Sequence, residues 1–303
     1  PPGLSGLTKI STIDFDTMSL SGTLPPALFD DMKSLITLDL HNNPGLSGTL
    51  PTSLLSLPAI ESVFLFNTTL SGAPLAQPIN ATALQTLQMQ NAQLSGTIHD
   101  SFHAPLLHTL TLQKNAFSGT LPTSLMNLNN LNALIAIDNQ ISGTISSDIR
   151  NAGALKTLGL AKNRLSGTLP GSLGFAGSLL SVSLRLNALS GSLPAPLAYM
   201  PTLQDFDVAQ NALTGPLPPF AANGTLRALR LGGNALSGRV SQNLLSMPLL
   251  EEVKLANNFL SCALPESSVD GSTLLPATPS STVGNHVSIL SGNRFGCPVP
   301  AKL

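Results

Sequence analysis

Apolar residues return along this chain in a fixed frame. Leu107, Leu110 and Leu112 lead to Asn115, Phe117, Ser118-Gly119 and Leu121-Pro122, and the same order recurs as Leu155, Leu158, Leu160, Asn163, Leu165, Ser166-Gly167 and Leu169-Pro170. The frame also opens at Ile10, Leu35, Ile60, Leu84, Leu131, Leu179, Leu203, Leu226 and Leu250, at intervals of 23 to 25 residues. A period of that length marks a stack of similar units rather than a globule with one central core. Residues 1–303 therefore read as a single domain, with about eleven repeats over 10–262 and a capping repeat with an inserted loop over 263–303.

Each part of the frame has a physical role. In Leu-x-x-Leu-x-Leu, alternate side chains of a short strand point inward and the residues between them face solvent. One coil cannot bury its own leucines, whereas stacked coils share a continuous core. Stacking lines up the strands as a parallel β-sheet on a concave face, and the return segments form a mostly irregular or 3-10 convex side. The expected fold is thus an α/β-type repeat solenoid. Asn43, Asn115, Asn139, Asn163, Asn187, Asn211, Asn234 and Asn258 close the strand segment, and their amides are predicted to be buried against unpaired backbone groups. The Ser-Gly pair is expected to make a tight corner and Leu-Pro to start the return. Met18, Thr68 and Ala92 stand in the asparagine position, which predicts less regular coils there.

This repeat resembles the plant-type leucine-rich-repeat class, LxxLxLxxNxLSGxIPxxLxxLxx, over nearly the whole chain. The variant Thr-Leu-Pro, as in Ser47-Gly48-Thr49-Leu50-Pro51, is similar to the surface-antigen and proteophosphoglycan repeats of kinetoplastid protozoa. The resemblance implies a leucine-rich-repeat curved solenoid in a secreted or cell-surface glycoprotein, engaged in adhesion or recognition. A paired-Cys N-terminal cap, common in the plant class, is missing from the sequence, as are most of the aromatic residues of the protozoan repeats.

Composition narrows the function. Charged residues make up 10%, the net charge is −1, and no basic run is present. Nucleic-acid binding and electrostatic membrane attachment both require a basic face. Every apolar run is interrupted well before the roughly 18–20 residues of a membrane span. Asn67-Thr68-Thr69, Asn80-Ala81-Thr82 and Asn223-Gly224-Thr225 are N-glycosylation acceptors by pattern. Cys262 and Cys297 hold the same slot in consecutive coils, which favours a disulfide over two free thiols and an extracellular or cell-surface location. The segment from Glu266 to Asn285 between them reads as an inserted loop.

No nucleotide or nucleophile motif is present, and the chain reads as non-enzymatic, with no cofactor and no metal. His99, Asp100, His103 and His108 have ligand-like spacing only on a helix, and they fall beside Pro105. Asp14 with Asp39, and Asp16 with His41, share outward columns; an acidic patch is the plainer reading than a Ca²⁺ site or an acid–base pair. Candidate contacts on the concave face are Phe64, Phe66, Gln88, Gln90, Ile135, Ile137, Arg185, Asp207, Arg230 and Lys254. The outward positions of this face run from the acidic first coils to Lys156, Lys162, Arg185, Arg227, Arg230 and Lys254, with Asp205 and Asp207 interleaved among the cations. Two readings stay open: a recognition module that binds a protein or glycan partner, and a structural subunit that self-associates through coil ends and hydroxyl-rich flanks into an oligomer or filament.

Overall fold

The computed structural model describes residues 7–221, 224–261, 286–288 and 291–293. Asn223, Cys262, Cys297 and the 266–285 insertion lie outside the described residues. The chain divides into two compact units: one takes in the described residues up to Gly143 together with Asn151–Arg164, the other Thr144–Arg150 and the described residues from Leu165 onward.

In the first unit the leucine frame folds into three-residue strands, Thr12–Asp14, Thr37–Asp39, Ser62–Phe64, Thr86–Gln88, Thr109–Thr111, Ala133–Ile135 and Thr157–Gly159, paired in parallel in chain order. In the second unit Ser181–Ser183, Asp205–Asp207, Ala228–Arg230, Glu252–Lys254 and His286–Ser288 pair in the same way. The last of these pairs Glu252, Val253 and Lys254 with His286, Val287 and Ser288. Register sets like on like, so Leu38, Val63, Leu87 and Leu110 stack in one buried row, and Phe206, Leu229 and Val253 in another. Each such side chain contributes about 1.5–3 kcal/mol by leaving water.

A second parallel sheet corrects the sequence reading. The Ser-Gly-Thr stretch, expected as a corner, instead forms strands: Ser21–Thr23, Gly45–Thr49, Thr69–Gly72, Gln93–Thr97, Ala116–Thr120 and Gln140–Gly143 in the first unit. In the second unit Ala188–Ser192, Ala212–Pro216, Ala235–Arg239 and Phe259–Ser261 continue the pattern. The serine hydroxyl donates to the glycine carbonyl one coil earlier, as from Ser71 Oγ to Gly48 O at 3.1 Å. Coil-to-coil bonding through this segment is what turns a corner into a strand. Glycine is needed within it: Gly143 has φ +80°, and a Cβ there would lie 2.7 Å from Thr120 Cγ2.

Return segments form short 3-10 helices at Thr52–Ser56 and Thr123–Asn127 in the first unit and at Gly171–Phe175 and Ala195–Tyr199 in the second, where Gln242–Leu245 is instead a single α-helical turn. Two coils of the first unit replace them with the paired strands Ile79–Asn80 and Phe102–His103.

The asparagine ladder has the predicted partners but not always the predicted burial. Asn139 accepts from Phe117 N–H at 2.9 Å and donates to Leu112 O at 2.9 Å and Ala136 O at 3.1 Å. Asn163, Asn211 and Asn258 repeat this pattern. Asn43 and Asn258 are fully buried, whereas Asn115, Asn139, Asn163, Asn187, Asn211 and Asn234 are half-buried. The amide lies at the edge of the coil, so only its hydrogen-bonding atoms need to reach the backbone. Thr68 makes one bond of the set, from Oγ1 to Leu65 O at 2.8 Å, and Ala92 has no side chain to make any.

Candidate functional site

The outward positions of the main sheet vary from coil to coil while the inward ones do not. In the first unit one column runs Asp14, Asp39, Phe64, Gln88, Thr111, Ile135 in strand register. The next column, Asp16, His41, Phe66, Gln90, Gln113 and Ile137, follows where the strands run out. Its coils remain joined by backbone bonds such as Asn42 N–H to Phe66 O at 2.9 Å.

At one end of this face the His41 ring stacks on Phe66, with centroids 4.3 Å apart and planes 20° from parallel. Asp39 fixes the imidazole: its Oδ1 lies 2.5 Å from His41 Nδ1 and also accepts from the His41 backbone N–H at 3.1 Å. Asp16 Oδ2 stands 3.8 Å from His41 Nε2. Phe64 and Phe66 are half-buried, so the platform presents apolar surface next to carboxylates. Farther along, Thr111 donates to Gln90 Oε1 at 2.7 Å. Ile135 and Ile137 lie together over Gly159, where a Cβ would come within 3.2 Å of Ile135 Cγ2 and 3.3 Å of Ile137 Cδ1. The structure thus brings Phe64, Phe66, Gln88, Gln90, Ile135 and Ile137 onto one face. Sequence reasoning missed the ring stack, because no one-dimensional pattern pairs a histidine with an aromatic residue 25 positions away.

The second unit is polar. The Arg230 guanidinium bridges Asp205, at 3.3 Å, and Glu252, and Lys254 pairs with Glu252 as well. Burial alone would lower the Arg230 pKa, but contacts with Glu252 and Asp205 raise it above the ordinary guanidinium value. Burial alone would raise Glu252, and Lys254 and Arg230 outweigh it, leaving the carboxyl below its ordinary value. Asp207 goes the other way: burial pushes its carboxyl up, against the Ala209 N–H and the charges of Arg230 and Arg185. Arg185 Nε and Nη2 both donate to Gln210 Oε1, at 3.0 and 2.9 Å. As the interleaved carboxylates suggested, part of the positive charge at this end is paired internally: Arg227 with Glu251, and Arg230 and Lys254 with Asp205 and Glu252.

Among the described residues no group of three or more His, Cys, Asp or Glu is arranged to hold a metal. His99 Nδ1 accepts from Ser101 N–H at 2.9 Å, and His103 is exposed on its two-residue strand. Asn67 is exposed and part of an amide ladder, donating to Asn42 Oδ1 at 2.7 Å and accepting from Asn91 Nδ2 at 2.8 Å. Asn80 is exposed on the strand Ile79–Asn80. No described helix is long and apolar enough to cross a membrane.

Residues 154–176 match the model of the Leucine Rich Repeat family. The chain is 28% identical over 163 residues to Receptor-like protein 32 of Arabidopsis thaliana, a match covering 46% of this chain and 18% of that protein. Among solved structures it is similar to PEPR1 in its complex with AtPEP1, with TM-score 0.74, 25% identity, and coverage of 97% of this chain and 47% of that one. It is also similar to the Arabidopsis receptor kinase HAESA in complex with the peptide hormone IDA and the co-receptor SERK1, with TM-score 0.68, 25% identity, and coverage of 86% and 48%. The chain spans about half the length of these solved chains and under a fifth of the curated relative. Its fold is a leucine-rich-repeat solenoid of parallel strands in stacked sheets.

Proposed function

We propose that this chain is an extracellular ligand-binding module that takes a peptide or protein partner along the outward face of the main sheet. The first unit supplies the apolar anchors. The observation that carries the reading is the His41–Phe66 stack beside Phe64, held by Asp39 on an otherwise regular scaffold. A rigid, half-buried aromatic platform rimmed by carboxylates has the make-up of an interface anchor and suits a partner that offers apolar and cationic side chains. The complex of HAESA with the peptide hormone IDA supports a peptide as partner, and the receptor relatives support an extracellular location. Asn67 and Asn80, both exposed, are proposed as glycan carriers.

A peptide library selected on the protein tests the reading. Enriched peptides should lose at least tenfold in affinity for a Phe64→Asp, Phe66→Asp double variant and none for Phe175→Asp, a substitution at an exposed back-face residue. Equal affinity for all three proteins refutes it.

A second reading has its own observation. At the first coil an apolar recess of about 360 Å³ opens among Ile13, Phe15, Met18, Leu20, Leu28 and Phe29, and Met18 is 60% exposed. Such an exposed apolar surface suits self-association. Sedimentation velocity across a hundredfold concentration range separates the two; a constant monomer removes the structural-subunit reading.

A further inference from the structure

The second unit contains a trough of about 340 Å³, at the small end of ligand sites, with charged and amide side chains on its walls over an alanine and glycine floor. Its floor is Ala209, Gly232 and Ala256, which hold the same outward position in three successive coils. One wall is Asp207, Arg230 and Lys254, adjacent in strand register. The opposite wall runs through the left-handed position, where Gln210, Gly233 and Asn257 have φ of +57°, +70° and +59°.

Two consecutive glycines build it. At Gly232 a Cβ would come within 3.1 Å of Ala256 O, so the floor stays bare. At Gly233 a Cβ would come within 3.2 Å of Gln210 Cγ; without one, Gln210 lies across the chain and carries Arg185 on its amide oxygen. Arg185 is thereby oriented by a neutral group, and among the described residues its hydrogen bonds go to no carboxylate. The other two cations, Arg230 and Lys254, share Asp205 and Glu252. Asp207 uses one oxygen for the Ala209 N–H at 3.0 Å and lies in the wall with its remaining capacity for an occupant.

We infer that this trough binds an acidic saccharide, a chain bearing a hexuronate, with its carboxylate on Arg185 and its hydroxyls on Asp207 and Gln210. Arg185 hydrogen-bonds an amide oxygen rather than a carboxylate, although the Asp207 charge lies within its reach, and it supplies the fixed fork that a carboxylate fits. The walls carry carboxyl, amide and guanidinium groups side by side, which together meet both donor and acceptor sides of hydroxyl groups. A floor of alanine and glycine offers no pocket for a peptide side chain, and the walls are neither aromatic nor aliphatic. The inference rests on the reading of this sheet face as ligand-binding, but on residues separate from the aromatic platform.

Calorimetric titration of the whole chain with oligomers of galacturonic acid, oligomers of galactose and polyglutamate tests it. Binding is expected for the first alone. Arg185→Gln should weaken it at least tenfold and flatten its salt dependence. Ala209→Leu, which fills the floor from an existing Cβ, should abolish it, and circular dichroism confirms that each variant is folded. The Phe64→Asp, Phe66→Asp variant should bind the acidic oligomer unchanged, so loss of this site and loss of the peptide site are read separately. Equal binding of the neutral oligomer, binding of polyglutamate, retention by Ala209→Leu, or no binding of the acidic oligomer overturns the inference.

Discussion

Asn139→Ala should be among the costliest single substitutions outside the leucine core. The amide accepts from Phe117 N–H at 2.9 Å and donates to Leu112 O and Ala136 O. The two carbonyls keep a partner after the change, because Asn115 also donates to Leu112 O at 2.9 Å and Asn163 to Ala136 O at 2.9 Å. The Phe117 N–H does not; it is left behind a fully buried ring. An orphaned donor costs about 1–3 kcal/mol and each lost bond to a still-satisfied carbonyl about 0.5 kcal/mol, for a total of about 2–4 kcal/mol. Urea denaturation followed by circular dichroism measures it. The converse is Ala92→Asn, which restores an amide to a coil that lacks one and should add about 1–2 kcal/mol. A loss below about 0.5 kcal/mol for Asn139→Ala would mean that water serves the Phe117 N–H and that the ladder is not a stability element.

Gly143→Ala should cost about 2 kcal/mol or more in the same assay, because it forces a Cβ into the left-handed region and against Thr120 Cγ2 at 2.7 Å; a neutral result would show that the second sheet yields locally. Ser124→Ala should stabilise by about 1 kcal/mol, since Ser124 Oγ is buried with no hydrogen-bond partner among the described residues; a loss would reveal an internal water bound there. Asp207 has its carboxyl raised above the ordinary value of 3.8 by burial, so the folded chain holds that proton more tightly than the unfolded one. Stability is therefore lost as pH rises from 3.8 through the folded value, and Asp207→Asn should raise the urea midpoint at pH 7 and converge on the parent below pH 3.8. Glu252, shifted down, has the opposite sign: its contribution is present above its ordinary 4.5 and fades as acid protonates it, and because its charge acts on Asp207 the parent-minus-variant difference reads the interacting pair.

Periodicity made the main sheet legible because one residue type does the same thing in every coil. A leucine in the middle of a strand has one place to go once the next coil covers it. The asparagine partners were legible for the same reason, since a short amide after a strand meets backbone groups at fixed offsets. The second sheet was not. Ser-Gly-Thr carries the composition of a turn, and only the coil below, with a glycine carbonyl facing Ser71 Oγ at 3.1 Å, makes it a strand. Outward residues were legible as positions and not as contacts. Phe66 was visible as an exposed aromatic residue, but its histidine partner comes from the preceding coil and is fixed by a carboxylate two residues from that histidine.

That limit explains where function has room on such a scaffold. Core and ladder positions answer to the coil-stacking requirement, so their identity is spent on the fold. The outward columns are free of it, and each residue there has neighbours set by register alone. A change from Phe64 to Gln88 to Ile135 alters the surface without altering the coil beneath it. The departures that do touch the backbone are therefore the informative ones. Gly232-Gly233 breaks the left-handed position that ten other described coils fill with a side chain, from Thr17 to Asn257, and it is there that a trough opens. Replacing both glycines with the Ala-Gln of the preceding coil, Ala209-Gln210, should leave the strand register intact and close the trough, separating what the fold requires from what the surface has been shaped to hold.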